Sequence, residues 1–300
     1  MVMMTLAACS GSNTDGKGDD KNPGAGTSVY PMTIVDDLGN EVTIDSEPQT
    51  IVSVAPSNTE ILFALGLGDK VVGRSEYCNF PAEALAVEVV GGYSGPNTEL
   101  ILDLEPDVVF AANSVPEEAK QLMEASGIKV IIFNPSNTDA VLKNMETVAN
   151  ICNVKEAGAT LVSTLKQERE ALLTKLAKVE PRSVFIDLGG FISVGKESYI
   201  DAMLQEIKAE NIATVAEGQW PTLSVEQIID ADPDVYISLY PSLEELTATA
   251  GLSEVAAFKN KEAHVVAWGT VENDIVQRPG PRFMEGLRLY AKLIYPDVVQ

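Results

Sequence analysis

Three hundred residues with 45% apolar content suit two globular domains of ordinary size. A formal charge of −23 argues against a nucleic-acid partner, which needs clustered Lys and Arg. One histidine and three cysteines without metal-ligand spacing exclude a zinc centre and leave only His264 for a serine-type triad.

At the N-terminus the apolar residues 1–5 run into Leu6-Ala7-Ala8-Cys9, followed by Ser10 and Gly11. Small residues before a cysteine at the end of an apolar run look like a bacterial lipobox. Residues 1–9 therefore read as a truncated lipoprotein signal, with Cys9 as the lipidated residue. Residues 10–28, rich in Gly, Asp and Lys, read as a flexible tether with a reach of roughly 25 Å. No later stretch has the roughly 18 uncharged apolar residues of a membrane span, so lipid would be the anchor. Cys78 and Cys152 remain, either as a disulfide or as two buried thiols.

Residues 29–44 alternate and turn at Asp37-Leu38-Gly39-Asn40, which predicts an opening hairpin. Ile51 to Ala55 reads as a buried strand. A helix follows through Ile61, Leu62 and Leu65, with Ser57 or Asn58 as cap and Gly66 and Gly68 at its end. Gly66-Leu67-Gly68 lacks a third glycine and a preceding strand, so it is no dinucleotide loop. Val71 to Gly73 leads into the aromatic loop Glu76-Tyr77-Cys78-Asn79-Phe80-Pro81, and Val89 to Gly91 leads into Tyr93. A helix over 117–127, a strand over 129–133 and a helix over 139–150 come next. Alternating strands and helices predict mostly parallel sheets.

From Lys155 to about Lys178 no proline interrupts, and Leu161, Leu165, Leu172 and Leu176 share one stripe. That predicts a helix of about 24 residues, some 36 Å long, acting as a rigid strut. Past it come a strand over 183–187, a glycine turn at Gly189-Gly190 and a helix over 198–210. Phe258 closes a further helix, 263–268 is a core strand, and Arg278-Pro279-Gly280-Pro281-Arg282 introduces the last helix. The expected domains are an N-terminal lobe over 29–153, an interlobe helix over 154–179 and a C-terminal lobe over 180–300.

One stretch occurs twice. Residues 99–110 align with residues 226–237 at a constant offset, 226 − 99 = 127, and coincide at six of twelve positions. Tyr93 lands on Trp220, each six residues before its glutamate. In each copy a short amphipathic helix from Glu99 or Glu226 is stopped by a proline and followed by an apolar β-branched strand. Such a duplication predicts two α/β lobes, each placing an aromatic loop at one end of a parallel strand, where open sheets hold ligands.

The chemistry inventory excludes the common hydrolases. Gly92-Tyr93-Ser94 lacks the spacing of a nucleophile elbow, and no Walker loop is present. Glu99 and Glu226 as a glycosidase pair would sit in different lobes, and a glutamate in a helix's first turn already suits the helix dipole. What remains is a cleft lined with aromatics: Tyr77, Phe80 and Tyr93 from one lobe, Trp220 and Trp268 from the other.

Ile51 to Leu62, Gly91-Gly92-Tyr93, Pro96-Asn97-Thr98-Glu99, Leu104-Glu105-Pro106-Asp107-Val108 and Arg278 to Arg282 resemble the helix-strut (class III) solute-binding proteins of ABC importers. Those importers carry ferric siderophores, haem and cobalamin. The similarity spans about residues 29–300. It implies two Rossmann-like lobes joined by a single long α-helix, with ligand gripped between them, no catalytic residues and no resident cofactor. It also implies docking of Glu99 and Glu226 to arginines of an ABC permease that works with an ATPase, by a monomer. Residues 76–81, with Gln219-Trp220-Pro221 and Leu223 to Glu226, look most like the cobalamin binders. The resemblance makes Tyr77, Phe80, Tyr93, Trp220, Trp268 and Arg278 the expected ligand contacts. A catecholate chelate would want a cluster of cations, and only Arg74, Arg278 and Arg282 are candidates. Haem, with Tyr93 as an axial ligand, and a hydroxamate siderophore are the alternatives.

Overall fold

The computed structural model describes residues 29–300, so Cys9 and the tether lie outside the described residues. An antiparallel hairpin of β1 (Met32–Val35) and β2 (Glu41–Ile44) comes first, and Asp36 Oδ1 closes its turn by accepting from the Leu38 and Asn40 amides. Then follow β3 (Ile51–Ser53), α1 (Pro56–Ala64), β4 (Val71–Arg74), β5 (Glu88–Val89), α2 (Thr98–Asp103), β6 (Val108–Ala112), α3 (Glu117–Ala125), β7 (Lys129–Phe133) and α4 (Thr138–Ile151). The strut is α5 (Lys155–Lys175). Beyond it lie β8 (Arg182–Asp187), α6 (Tyr199–Glu206), β9 (Ala209–Asn211), α7 (Val225–Ala231), β10 (Val235–Ser238), α8 (Leu243–Ala248), α9 (Ala256–Lys259), β11 (Ala263–Val265), α10 (Val271–Gln277) and α11 (Phe283–Ile294).

Two parallel sheets result. The first has the order β5-β4-β3-β6-β7 and the second β11-β10-β8-β9. Written from the other edge, the second is β9-β8-β10-β11, the order of β4-β3-β6-β7, so the C-terminal lobe repeats the first without its edge strand.

The duplication is visible to the residue. α7 starts 225 − 98 = 127 positions after α2, and β10 starts 235 − 108 = 127 after β6. Glu105 and Asp232, also 127 apart, both turn the chain with positive φ, at 45° and 42°. The next shared acid closes the unit. Asp107 Oδ2 accepts from the Thr50 amide and hydroxyl, and Asp234 Oδ2 accepts from the Ser183 amide and hydroxyl. In return each aspartate's own amide donates to that hydroxyl. These clamps lock each helix–turn–strand unit onto the neighbouring central strand, and so fix where the aromatic loop before it emerges.

The strut is 21 residues of α-helix, about 32 Å, with a 3-10 turn over Leu176–Lys178 completing the predicted span. Leu165, Leu172 and Leu176 of its predicted stripe are buried, joined by Val162. One apolar core runs from Val42 and Ile61 through these residues to Leu287 and Tyr290. At Gly158 an added Cβ would come within 2.4 Å of the Ala149 Cβ, so α4 and α5 touch nearly backbone to backbone. Arg169 on the strut pairs with Asp139 at 2.8 Å and lies 4.0 Å from Glu206 of α6, touching both lobes.

Three expectations differ from the structure, and one helix was not anticipated. Pro56 opens α1 without a side-chain cap, and Asn58 instead donates to the Ala111 carbonyl at 3.0 Å, tying α1 to β6. The helix predicted over 198–210 ends at Glu206, because Lys208 turns the chain at φ 62° and residues 209–211 become the edge strand β9. The strand predicted over 263–268 stops at Val265, which leaves Trp268 on a loop. The segment before Arg278 is the helix α10, capped by Thr270.

Cys78 and Cys152 are both free and buried. Burial raises the Cys78 thiol and pushes Cys152 up to about 12, so neither offers thiolate near neutrality. A Cys9→Ser variant should show no thiol reactive toward Ellman's reagent when folded and two after denaturation. A fast-reacting thiol in the native protein would contradict this burial.

Candidate functional site

Every aromatic predicted for the cleft lies on a segment beyond the C-terminal end of a parallel strand, Trp220 the farthest at 220 − 211 = 9 residues, past a 3-10 turn over Ile212–Val215. Tyr77 and Phe80 follow β4, Tyr93 follows β5, Trp220 follows β9 and Trp268 follows β11. All five are solvent-exposed, from Tyr93 at 40% to Trp268 at 60%. Single exposed aromatics are ordinary; five on strand-exit loops of two related sheets describe a binding edge. Two cavities, of about 580 and 660 Å³, lie by the N-terminal ends of strands of the first sheet.

The lobes meet at this edge through a buried ionic network. Glu60 on α1, 2% exposed, receives Arg282 through Nε–Oε2 at 2.9 Å and Nη2–Oε1 at 2.6 Å. Arg278 Nη1 reaches the same Oε1 at 3.1 Å and the Asn79 Oδ1 at 2.7 Å. Arg278 Nη2 pairs with Asp274 Oδ1 at 2.8 Å and donates to the Tyr77 carbonyl at 3.3 Å. Asn79 returns a bond to Asp274 at 3.1 Å, and the Arg282 guanidinium sits 3.9 Å over the Phe80 ring. Two acids and two arginines balance, so the network is neutral. Its hydrogen bonds to Glu60 raise the Arg282 pKa although burial opposes this.

The guanidinium of Arg278, an expected ligand contact, is held by two carboxylates, an amide oxygen and a carbonyl. Arg74 likewise is buried, donating to the Ser75 and Leu85 carbonyls. Arg278 and Arg282 are thus committed to carboxylates of the protein itself, whereas Arg74 has no carboxylate partner among the described residues and its buried Nε lacks a hydrogen bond.

The C-terminal lobe adds an aromatic that sequence reasoning passed over. Tyr240, two residues beyond β10, stacks on Trp268 with centroids 4.9 Å apart and planes 23° apart. Buried Asn273 donates to the Leu239 carbonyl at 2.8 Å and the Val266 carbonyl at 2.9 Å, pinning the two loops that carry these rings. The available signal was positional: Tyr240 follows a strand end as Trp268 does. Tyr93 and Trp220 stack on no other ring among the described residues.

Glu99 and Glu226 sit in the first turns of α2 and α7, exposed and without an ion pair among the described residues. Asn97 caps α2 through the Leu100 amide, and Ser224 forms a capping box with Gln227 on α7. His264 lies on β11 with Nε2 3.6 Å from Glu262, a position within the sheet.

Residues 51–269 match the family described as "Periplasmic binding protein". The chain is 34% identical to an uncharacterized ABC transporter substrate-binding lipoprotein, YvrC, of Bacillus subtilis, covering 99% of this chain and 95% of that one. It is 28% identical to a cobalamin-binding protein of Halobacterium salinarum, over 90% of this chain and 76% of the relative. The crystal structure of the periplasmic vitamin B12 binding protein BtuF of Vibrio cholerae superposes with a TM-score of 0.73 at 25% identity, covering 84% of this chain and 99% of that one. These relatives are named for binding and transport, and this chain is likewise a binding protein rather than an enzyme. Its two helix-linked parallel sheets and its sequence together make it a member of the periplasmic binding protein family, an ABC-importer substrate-binding protein of the B12, haem and siderophore group.

Proposed function

We propose that this protein captures a corrinoid of the cobalamin type, or a ferric chelate, between its lobes and delivers it to an ABC permease driven by its ATPase. It acts as a monomer outside the cytoplasm, held to the membrane by lipid on Cys9. The chelate is cargo, and no resident cofactor is invoked. Tyr77, Phe80, Tyr93, Trp220 and Trp268 supply the contacts, while Arg278 holds the Tyr77 carbonyl.

The observation that carries this reading is the pairing of exposed rings on both strand-exit edges with arginines already neutralised by Glu60 and Asp274. Such a cleft suits a large, flat ligand of low net charge better than an anionic catecholate. The names of the Halobacterium and Vibrio relatives support cobalamin. Haem is the second reading, favoured by the Tyr93 hydroxyl, which has no hydrogen-bond partner among the described residues.

Titration with cyanocobalamin, haemin and a ferric trihydroxamate, followed by tryptophan quenching and visible absorbance, separates these readings. Cyanocobalamin should bind tightest, and Trp220→Ala should weaken it roughly tenfold, the scale of losing one stacked ring. Haemin binding lost in Tyr93→Phe would favour the second reading, and no binding of any of the three would reject the proposal. The lipid anchor predicts partition of the mature protein into a detergent phase, and of Cys9→Ala into the aqueous phase.

A further inference from the structure

Trp268 is 60% exposed although Tyr240 already covers part of it, so one indole face remains open. An exposed indole on a loop normally samples several rotamers, and ordering it on binding costs affinity. Here the neighbouring ring stands on a loop whose root is pinned. Gln277 Nε2 is held by Asn273 Oδ1 at 2.7 Å. Asn273 is the residue that pins both loop roots. On the other side Gly189, at φ 103°, brings its backbone against Tyr240, where an added Cβ would lie 3.6 Å from the tyrosine Cβ. Gln277 also adjoins Arg278, which bonds Asn79 and the Tyr77 carbonyl on the aromatic loop of the first lobe.

We infer that Tyr240 is a positioning residue that holds Trp268 as a pre-oriented platform for a flat conjugated ring, and so selects macrocyclic ligands over compact hydroxamate chelates. This rests on the binding reading above and assigns the platform to a residue outside the duplicated unit.

Two measurements test it. In a Trp220→Phe background Trp268 is the sole tryptophan, and its fluorescence anisotropy and acrylamide quenching report its mobility without ligand. Tyr240→Ala should lower the anisotropy and raise quenching about twofold, whereas Tyr240→Phe, which keeps the stack, should change neither. With the native tryptophans, Tyr240→Ala should weaken cyanocobalamin or haemin roughly fivefold to tenfold, and Tyr240→Phe should restore affinity to within about twofold. A ferric trihydroxamate should bind both variants alike. Unchanged anisotropy, or a loss shared equally by the trihydroxamate, overturns the inference and leaves the receptor reading intact. Failure of the wild-type protein to bind either macrocycle overturns the inference, and failure to bind the trihydroxamate as well overturns the receptor reading too, each distinguished by appearing with Tyr240 in place.

Discussion

Glu60→Ala should destabilise the protein by about 3–5 kcal/mol, the cost of leaving a buried charge without its partner. The unfolding midpoint should fall by roughly 10 °C at about 2–4 °C per kcal/mol. The arithmetic of charge explains the size. Glu60 and Asp274 balance Arg278 and Arg282 in the native network, and removing Glu60 leaves two cations against one acid in a site where Glu60 and Arg282 are 2% and 8% exposed. Asp274 reaches Arg278, and Arg282 has only Glu60 as a salt-bridge partner among the described residues. Two consequences separate this from ordinary loss of packing. The double variant Glu60→Met with Arg282→Met should be more stable than Glu60→Ala alone, because it leaves no orphan charge. Ligand affinity should also fall in the double variant, where Phe80 loses the cation 3.9 Å above its ring, an interaction of about 0.5–2 kcal/mol. Guanidinium unfolding at neutral pH gives the comparison. A Glu60→Ala protein as stable as the parent would show that the lobes are held by the strut core alone.

The duplicated unit was legible because local rules write it. Pro106 and Pro233 each deny a helix its next donor, and the valines that follow pack on both faces of a strand. Those constraints act within a dozen residues, so helix and strand begin at the same offset in each copy. The strut was legible for the same reason, as an uninterrupted stripe of leucines. The interlobe network was not, since Glu60 lies 218 positions before Arg278 and nothing local distinguishes a paired arginine from one awaiting a ligand. Tyr240 gains its role from a ring 268 − 240 = 28 positions later on the adjacent strand's exit. β9 was hidden by a left-handed turn at Lys208, where no glycine announced it. α10 was hidden by polarity. Its Asn273 is buried to satisfy two loop carbonyls, although Thr270 as cap with Glu272 and Asp274 in the first turn is a helix start that composition alone obscured.

Glu99→Ala combined with Glu226→Ala should cut ligand uptake by cells bearing the cognate permease at least a hundredfold while leaving ligand affinity within about twofold. The two carboxylates occupy twin positions, one per lobe, each exposed on the first turn of a helix whose cap and aspartate clamp hold it rigid. The fold's own stability draws little on carboxylates so placed, since a first-turn acid contributes only about 0.3–1 kcal/mol. Paired with cations on a partner and desolvated there, each is worth about 1.5–7 kcal/mol, so losing both removes at least a hundredfold in complex formation. Position also separates them from the ligand, since each lies six residues beyond Tyr93 or Trp220 and on a helix instead of a strand-exit loop. The single variants should each retain part of the transport and respond more steeply to salt, because one remaining long-range attraction is screened over roughly 10 Å at 0.1 M ionic strength. Loss of ligand affinity in the double variant would move these acids into the binding cleft, and full transport would place the permease contact elsewhere on the lobes.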